Sequence, residues 1–325
     1  MTGPRLIHVG SAVVDYVYRI DALPAAGTER IASTFARVAG GGFNMMVAAA
    51  RTGMTVVFGG QNGTGPNGDF LREAFAAEKI EILTPPSPVM DTGNCVVMVT
   101  SDAERTFVSW PGAEGVMSAG DFAPVVLQAG DVAFTSGYTL SYPGSRDALA
   151  DWIEKLPSDI SFVFDPTPVV AEIPADILER VLARTTWLSC NTAEAVAIAG
   201  DGDIASVCER LLARHCPSAL GVVARSGEDG CFMRLADGAM RKVPGFKVVA
   251  VDTNGAGDTH IGAFVSALAG GVEPFEAGRY ANAAAALSVT RHGGSSAPTG
   301  SEIETFLRCH ADKPAGQDTS EKANA

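Results

Sequence analysis

The segment Asp252-Thr253-Asn254-Gly255-Ala256-Gly257-Asp258-Thr259-His260-Ile261-Gly262-Ala263-Phe264 carries the densest chemical information in this chain. Small residues at Gly255, Ala256 and Gly257 let a ligand approach the backbone, and the apolar run after Asp258 marks the start of a helix. The first N–H groups of a helix have no partner within it and lie at the positive end of its dipole, so this junction suits an anion. A carboxylate in the same place, Asp258, would repel a phosphate unless it has another task. Taking the proton from a hydroxyl that attacks phosphorus is such a task. A plainer reading also fits the residues: Asp252 and Asp258 complete a turn and favour the helix dipole.

Outward from this segment, short β-branched runs alternate with amphipathic stretches of helical length, the pattern of an α/β fold with a mostly parallel sheet. Strand-like runs occupy residues 6–10, 55–59, 132–135, 162–165, 187–190 and 220–224. Helices are expected over 45–51, 69–79, 146–155, 175–183, 193–199, 204–215, 258–269 and 276–290. Two stretches break the alternation. Residues 13–20 and 31–38 flank a turn at Pro24 and Gly27, and residues 93–100 and 105–110 flank Ser101 to Glu104, which predicts two antiparallel hairpins. Inserted as segments of about 11–38 and 91–112, they would form a small β-sheet lid over the carboxyl ends of the main strands, where open α/β sheets bind ligands. The main domain is expected over residues 1–310, and the polar tail 311–325 is expected to be disordered.

Composition narrows the partners. The 325 residues hold 24 Lys and Arg against 37 Asp and Glu, a formal net charge of −13. Nucleic acid and anionic membrane surfaces call for a basic face, so neither is an expected partner. An anionic ligand must instead be held by local donors. An apolar content of 46% at this length implies one large domain or one with a small appendage. The cysteines Cys95, Cys190, Cys208, Cys216, Cys231 and Cys309 show neither a Cys-x-x-Cys pair nor zinc-ligand spacing and read as reduced packing residues. Asp15 and Arg19 interrupt the first apolar stretch before a signal peptide could form, and no 18-residue apolar run occurs, so a cytoplasmic location is expected.

Residues 252–264 are similar, at every position, to the C-terminal signature of the ribokinase-like, or PfkB, carbohydrate-kinase family. Ala39-Gly40-Gly41-Gly42-Phe43-Asn44, then Gly53 and Gly63, resembles the family's N-terminal signature, with Met46 where that signature takes Ser, Thr or Ala. In physical terms a glycine run lets a sugar pack on backbone, and an Asn offers hydroxyls both a donor and an acceptor, while also being able to cap a helix. Asn191-Thr192-Ala193-Glu194 resembles the family's Asn-x-x-Glu motif, although by itself the tetrad is an N-cap with its capping-box Glu. Asp15 matches the family's sugar-binding Asp; buried in a lid, it would need a hydrogen-bonding partner.

The resemblance spans about residues 6–298. It implies a three-layer α/β/α ribokinase-like domain with a mostly parallel central sheet and a small β-sheet lid. The implied activity is ATP-dependent phosphorylation of a hydroxyl on a sugar or nucleoside. Asp258 would be the general base, the backbone N–H groups of Gly255, Ala256, Gly257 and Asp258 would receive the charge on the γ-phosphoryl group, and magnesium would bridge the phosphates. Asp15, Gly41, Gly42 and Asn44 would hold the acceptor. Asn191 and Glu194 would contact the nucleotide phosphates, Glu194 through magnesium-bound water. Gly227 and Gly230 match a turn beside the nucleotide, with Arg225 where ribokinases have Thr, and Asn282 falls where the family flanks adenine. A monovalent cation such as potassium would draw on Asp252 and Asn254, although Ala297 offers no side-chain oxygen there. His260 replaces a common aromatic and reads as packing. Arg105, on the second hairpin, reaches a substrate carboxylate or phosphate, or is a solvated strand residue. Relatives often dimerise through the lid, so a homodimer by that route is also expected.

Gly63-Thr64-Gly65-Pro66-Asn67-Gly68 fits a dinucleotide-binding fingerprint, but Pro66 sits inside it and no acidic residue closes a plausible next strand. No Gly-Lys-Ser/Thr occurs, which excludes a P-loop. A catalytically silent sugar sensor would keep the scaffold without the intact Gly-Ala-Gly-Asp. With Arg105 as the one basic residue placed over the pocket, a neutral sugar or nucleoside is the favoured acceptor, and a sugar acid or sugar phosphate the alternative.

Overall fold

The structure is a computed structural model describing residues 3–102 and 104–310; the 311–325 tail lies outside the described residues. In chain order the elements are β1 (Arg5–His8), β2 (Ala12–Arg19), β3 (Thr34–Gly41), α1 (Gly42–Arg51), β4 (Thr55–Phe58), α2 (Pro66–Ala77), β5 (Glu81–Ile82), β6 (Asn94–Val99) and β7 (Arg105–Trp110). They continue with β8 (Val132–Ser136), α3 (Gly137–Ser141), α4 (Arg146–Glu154), β9 (Ser161–Asp165), α5 (Ala175–Arg184), β10 (Trp187–Asn191), α6 (Thr192–Ala199) and α7 (Ile204–Arg210). The last are β11 (Gly221–Arg225), β12 (Gly230–Leu235), β13 (Met240–Pro244), α8 (Ala256–Ala269), α9 (Pro274–Ser288) and α10 (Gly300–Cys309).

Successive side chains of a strand point to opposite faces, so strands buried on both faces read as continuous apolar runs. In β1, Leu6 and Ile7 are both fully buried and enter separate cores. Leu6, with Val56, Phe58, Phe134 and Val223, packs on Met45 and Ala48 of α1, Leu71 and Phe75 of α2, Phe264 of α8 and Ala284 of α9. Ile7, with Val57, Phe162, Phe164, Leu188 and Val222, packs on Leu149 and Ile153 of α4, Val181 of α5 and Val207 of α7. Helices therefore cover both faces, which gives the expected three layers.

The nine-stranded sheet has the order β13-β12-β11-β10-β9-β8-β1-β4-β5. It is parallel from β5 to β11, and β12 and β13 join antiparallel at one edge. The small sheet has the order β3-β2-β6-β7. Both expected antiparallel hairpins are present in it, and they meet through a parallel β2–β6 pairing. Beneath its second hairpin, the fully buried Glu114 accepts the Gly112 N–H on Oε1 at 2.9 Å and the Gly93 N–H on Oε2 at 3.1 Å. One carboxylate thus pins both roots of β6–β7.

Several elements were not expected from the pattern. β13 carries Arg241 and Lys242 on an exposed edge, and β5 has only two residues, so neither shows an apolar period. The expected helix over 204–215 ends as α7 at Arg210 and continues as a single wider turn, residues 211–215. The dinucleotide-like loop at 63–68 also resolves here. Asp91 accepts the N–H groups of Asn67 (3.0 Å) and Gly68 (2.9 Å), so the start of α2 is filled by the protein's own carboxylate. No described helix is long and apolar enough to cross a membrane.

Helices α1 and α8 cross where Gly262 meets the backbone of Met45. A Cβ on Gly262 would lie 2.5 Å from Met45 O and 2.7 Å from the Ala48 Cβ. In an open helix Gly→Ala stabilises by about 1 kcal/mol. Here the overlap dominates, and Gly262→Ala is expected to destabilise by about 1–3 kcal/mol, read from urea unfolding; a gain in stability would contradict this packing.

Candidate active site

The start of α8 is shaped by Gly255, which caps the helix with φ 72°, a left-handed conformation that glycine adopts without strain. A side chain there would also collide with the Gly294 carbonyl oxygen. Asp252 holds the approach to this turn. Its Oδ1 accepts the Asn254 N–H at 3.0 Å and its Oδ2 the Gly293 N–H at 3.2 Å. Arg105 reaches down from β7 to pair with the Asp252 carboxylate and donate to Thr253 Oγ1 at 3.3 Å. The small sheet is thereby tied to the loop that presents the helix start.

Two cavities of about 480 Å³ each flank this point and share Arg225, Thr253, Ala256 and Gly257 as a common wall. The first is walled by apolar side chains of Phe246, Val248, Ala286 and Val289, with the backbone of Gly227, Gly230 and Gly245. Asn191 and Asn282 also border it. The second is polar: Arg105 enters from β7, Tyr138 from α3, Asp165 and Thr167 from the end of β9, and Glu194 and Asp258 from two helix starts. Both open at the carboxyl edge of the parallel strands, as the alternation of elements predicts.

Carboxylates dominate the electrostatics. Burial, reinforced by the charge of Asp165, raises the Asp258 carboxyl to about 6; the bond from Asn44 Nδ2 (3.4 Å) and the charge of Arg225 act against this rise. Burial, with the charge of Asp258, raises Asp15 to about 7. Glu194 is raised to about 7 by burial and by Asp165, opposed by Arg225 and the Asn191 N–H. His260 is pushed down to about 3 by burial, so its ring is neutral.

The start of α8 sits between an apolar slot and a carboxylate-lined cup on a doubly covered parallel sheet, and the pfkB carbohydrate-kinase family model matches residues 4–300 of the sequence. The chain belongs to the PfkB family of carbohydrate kinases. It is an ATP-dependent carbohydrate kinase with the fold of ribokinases. It is similar to YegV, an uncharacterised sugar kinase of Escherichia coli, at 30% identity over 305 residues, covering 93% of this chain and 94% of YegV. It is also similar to ribokinase of Haemophilus influenzae, at 31% identity over 309 residues, covering 92% and 97%. The crystal structure of ribokinase from Thermotoga maritima superposes with a TM-score of 0.78 at 25% identity, covering 94% of this chain and 99% of that one.

In this PfkB kinase the sequence-predicted residues fall into three groups. Gly255, Asn254, Arg105, Glu194 and Asp258 border the polar cup, and Asn191, Gly227, Gly230 and Asn282 border the apolar slot, with Ala256, Gly257 and Arg225 common to both. Asp15, Gly41, Gly42 and Asn44 border neither cavity. Gly41 and Gly42 pack against Ser11, while Asn44 and Asp15 neighbour Asp258; Asn44 is buried with Oδ1 unpartnered among the described residues, and Asp15 fills the space a Gly40 side chain would need. Asn282 spends its amide on Val243 O (3.0 Å) and Pro244 O (3.1 Å) and its Oδ1 on His260 Nε2 (3.1 Å).

Sequence reasoning passed over Asp165, Thr167 and Tyr138. Asp165 had a visible signal, an acid closing an apolar run at the carboxyl edge of a strand. Thr167 had none: it is a buried β-branched residue at φ 57°, and its Oγ1 has no partner among the described residues. Asp165 and Glu194 offer the hard oxygen donors that suit magnesium. Among the described residues no cluster of three or more His, Cys, Asp or Glu forms a metal cage. The donors at Asp252 do not fit a monovalent cation in this arrangement, because Arg105 already supplies the positive charge and two N–H groups take the carboxylate oxygens.

The raised Asp15 makes a signed prediction. Its ordinary value is 3.8, so the folded state binds its proton more tightly than the unfolded chain; this stability is full below about pH 4 and is lost as pH rises through about 7. Asp15→Asn should therefore raise the melting temperature of the ligand-free protein at pH 8 by several degrees, with the gain shrinking toward zero near pH 4. A gain independent of pH would refute the assignment.

Proposed function

We propose that this kinase transfers the γ-phosphoryl group of ATP to a hydroxyl of a neutral sugar or nucleoside, with Asp258 as the general base. The observation that carries the reading is the position of Asp258. It faces the polar cup one residue beyond Gly257, one of the four residues both cavities share. The apolar slot suits an adenine and the helix start a polyphosphate. The polar cup brings four acids, Glu104, Asp165, Glu194 and Asp258, against Arg105 and Arg225, and Arg105 is engaged by Asp252. That balance favours a neutral acceptor. A sugar acid or sugar phosphate is the second reading; it would draw Arg105 away from Asp252.

In the proposed mechanism Asn44 orients the Asp258 carboxylate, which accepts the acceptor's proton as its oxygen approaches phosphorus. The N–H groups of Gly257 and Asp258 donate to the transferring group where its charge develops, that of Ala256 being directed at Thr253 O at 3.4 Å. When bound, magnesium would neutralise phosphate charge, with Asp165 and Glu194 as its oxygen donors. Closure of the small sheet over the cup, with Arg105 as its latch, would exclude water. The ATP requirement and the unpaired cysteines accord with a cytoplasmic enzyme. The exposed edges β3 and β7 would permit pairing with a second copy of the lid.

An ADP-release assay across sugars, sugar acids, sugar phosphates and nucleosides tests the acceptor class; turnover confined to anionic acceptors would overturn the neutral reading. Asp258→Asn is expected to keep ATP binding and lower kcat by roughly 10² to 10⁴. Because the base must be ionised, wild-type kcat/KM should fall as pH drops below about 6. Near-normal turnover in the variant would remove Asp258 from the reaction.

A further inference from the structure

Arg225 closes β11 with a side chain only 12% exposed. Its Nη1 donates to Ser189 Oγ at 2.9 Å. Its Nη2 lies 3.4 Å from Asp165 Oδ1 and 3.5 Å from Glu194 Oε2, longer than the 2.7–2.9 Å or so of a strong charge-assisted bond. The guanidinium also lies against the helix start: a Cβ on Gly257 would be 3.8 Å from both Nε and Nη2. Among the described residues Nε has no acceptor, and Arg225 forms part of the wall between the two cavities. A buried cation thus stands between two carboxylates and an anion site, held loosely by the carboxylates and with donors to spare.

Two electrostatic demands meet at this point. Without Arg225, Asp165 and Glu194 would be buried beside Asp258 with no positive charge to offset them. With a polyphosphate present, a planar guanidinium at Gly257 is well shaped to bind its oxygens. Arginine stays charged in both situations, so one side chain can serve each in turn.

Resting on the kinase reading, we propose that Arg225 is an internal counter-cation that changes partners. It neutralises Asp165 and Glu194 in the free enzyme, and it donates to phosphate oxygens of the bound nucleotide when a divalent cation takes over the two carboxylates. It is then a phosphate ligand in its own right and keeps nucleotide affinity when metal is absent.

Calorimetric titration of ADP into the full-length protein, in EDTA and in magnesium, tests this without relying on turnover. Wild type should bind metal-free ADP. Arg225→Met should lose at least about tenfold in affinity in EDTA, and less in magnesium, where the ion gains undisputed access to the carboxylates. Arg225→Lys should fall between them. A folded Arg225→Met protein that binds ADP in EDTA as tightly as wild type overturns the proposal and leaves Arg225 as a structural ion-pair partner. If that variant does not fold, Asp165→Asn combined with Arg225→Met removes the opposing charge, and wild-type affinity in that protein overturns the proposal equally. The parent reading fails separately: a wild type that neither binds ADP nor releases it from ATP with any acceptor sinks both.

Discussion

Asp165 and Glu194, buried, and Asp15 and Asp258, half-buried, crowd around the start of α8, and a protein of net charge −13 has to keep that arrangement folded while leaving room for a polyanion. The strain shows in the carboxyl groups, three of which hold their protons more tightly than they would in water. Relief comes from Arg225, from the Asn191 N–H and from Asn44. Arg225 and Asn191 also border the cavities where a substrate would bind. The same features that make the ligand-free site costly therefore make it receptive, the usual trade between stability and activity.

The rest of the architecture can be understood as support for that point. The parallel strands end in Asp165, Asn191 and Arg225, bringing three polar residues to one edge. The α1–α8 contact at Gly262 lets Asn44 reach Asp258 from a neighbouring helix. Glu114 pins the hairpin from which Arg105 descends.

Legibility in the sequence followed the range of the interactions. The segment 252–264 was readable because its chemistry is local: glycines, helix start and acid lie within a few positions. The layers were readable because Leu6 and Ile7, or Val56 and Val57, write two buried faces into adjacent letters. Features set by distant partners were not readable. The strained backbone of Thr167 leaves no trace in composition. The capping of α2 by Asp91 spans more than twenty residues, and it is what separates this glycine loop from a dinucleotide site. Asn282 was placed beside the slot by its position on the final long helix, yet its hydrogen bonds to Val243 and Pro244 depend on an edge strand whose polar pattern concealed it. Arg225 was visible as a departure from a family pattern, while its two carboxylate neighbours come from other strands and helices.

The Arg105–Asp252 pair has a kinetic side. Its members are 21% and 10% exposed, so the small sheet is fastened to the loop before α8 by a contact that is neither fully dry nor freely solvated. Opening the lid separates two opposite charges, which dissolved ions make easier. Where departure of product is the slow event of a cycle, the lifetime of the closed state sets the pace. Ionic strength then becomes a throttle on turnover, acting at one arginine of β7 far smaller than the sheet it restrains.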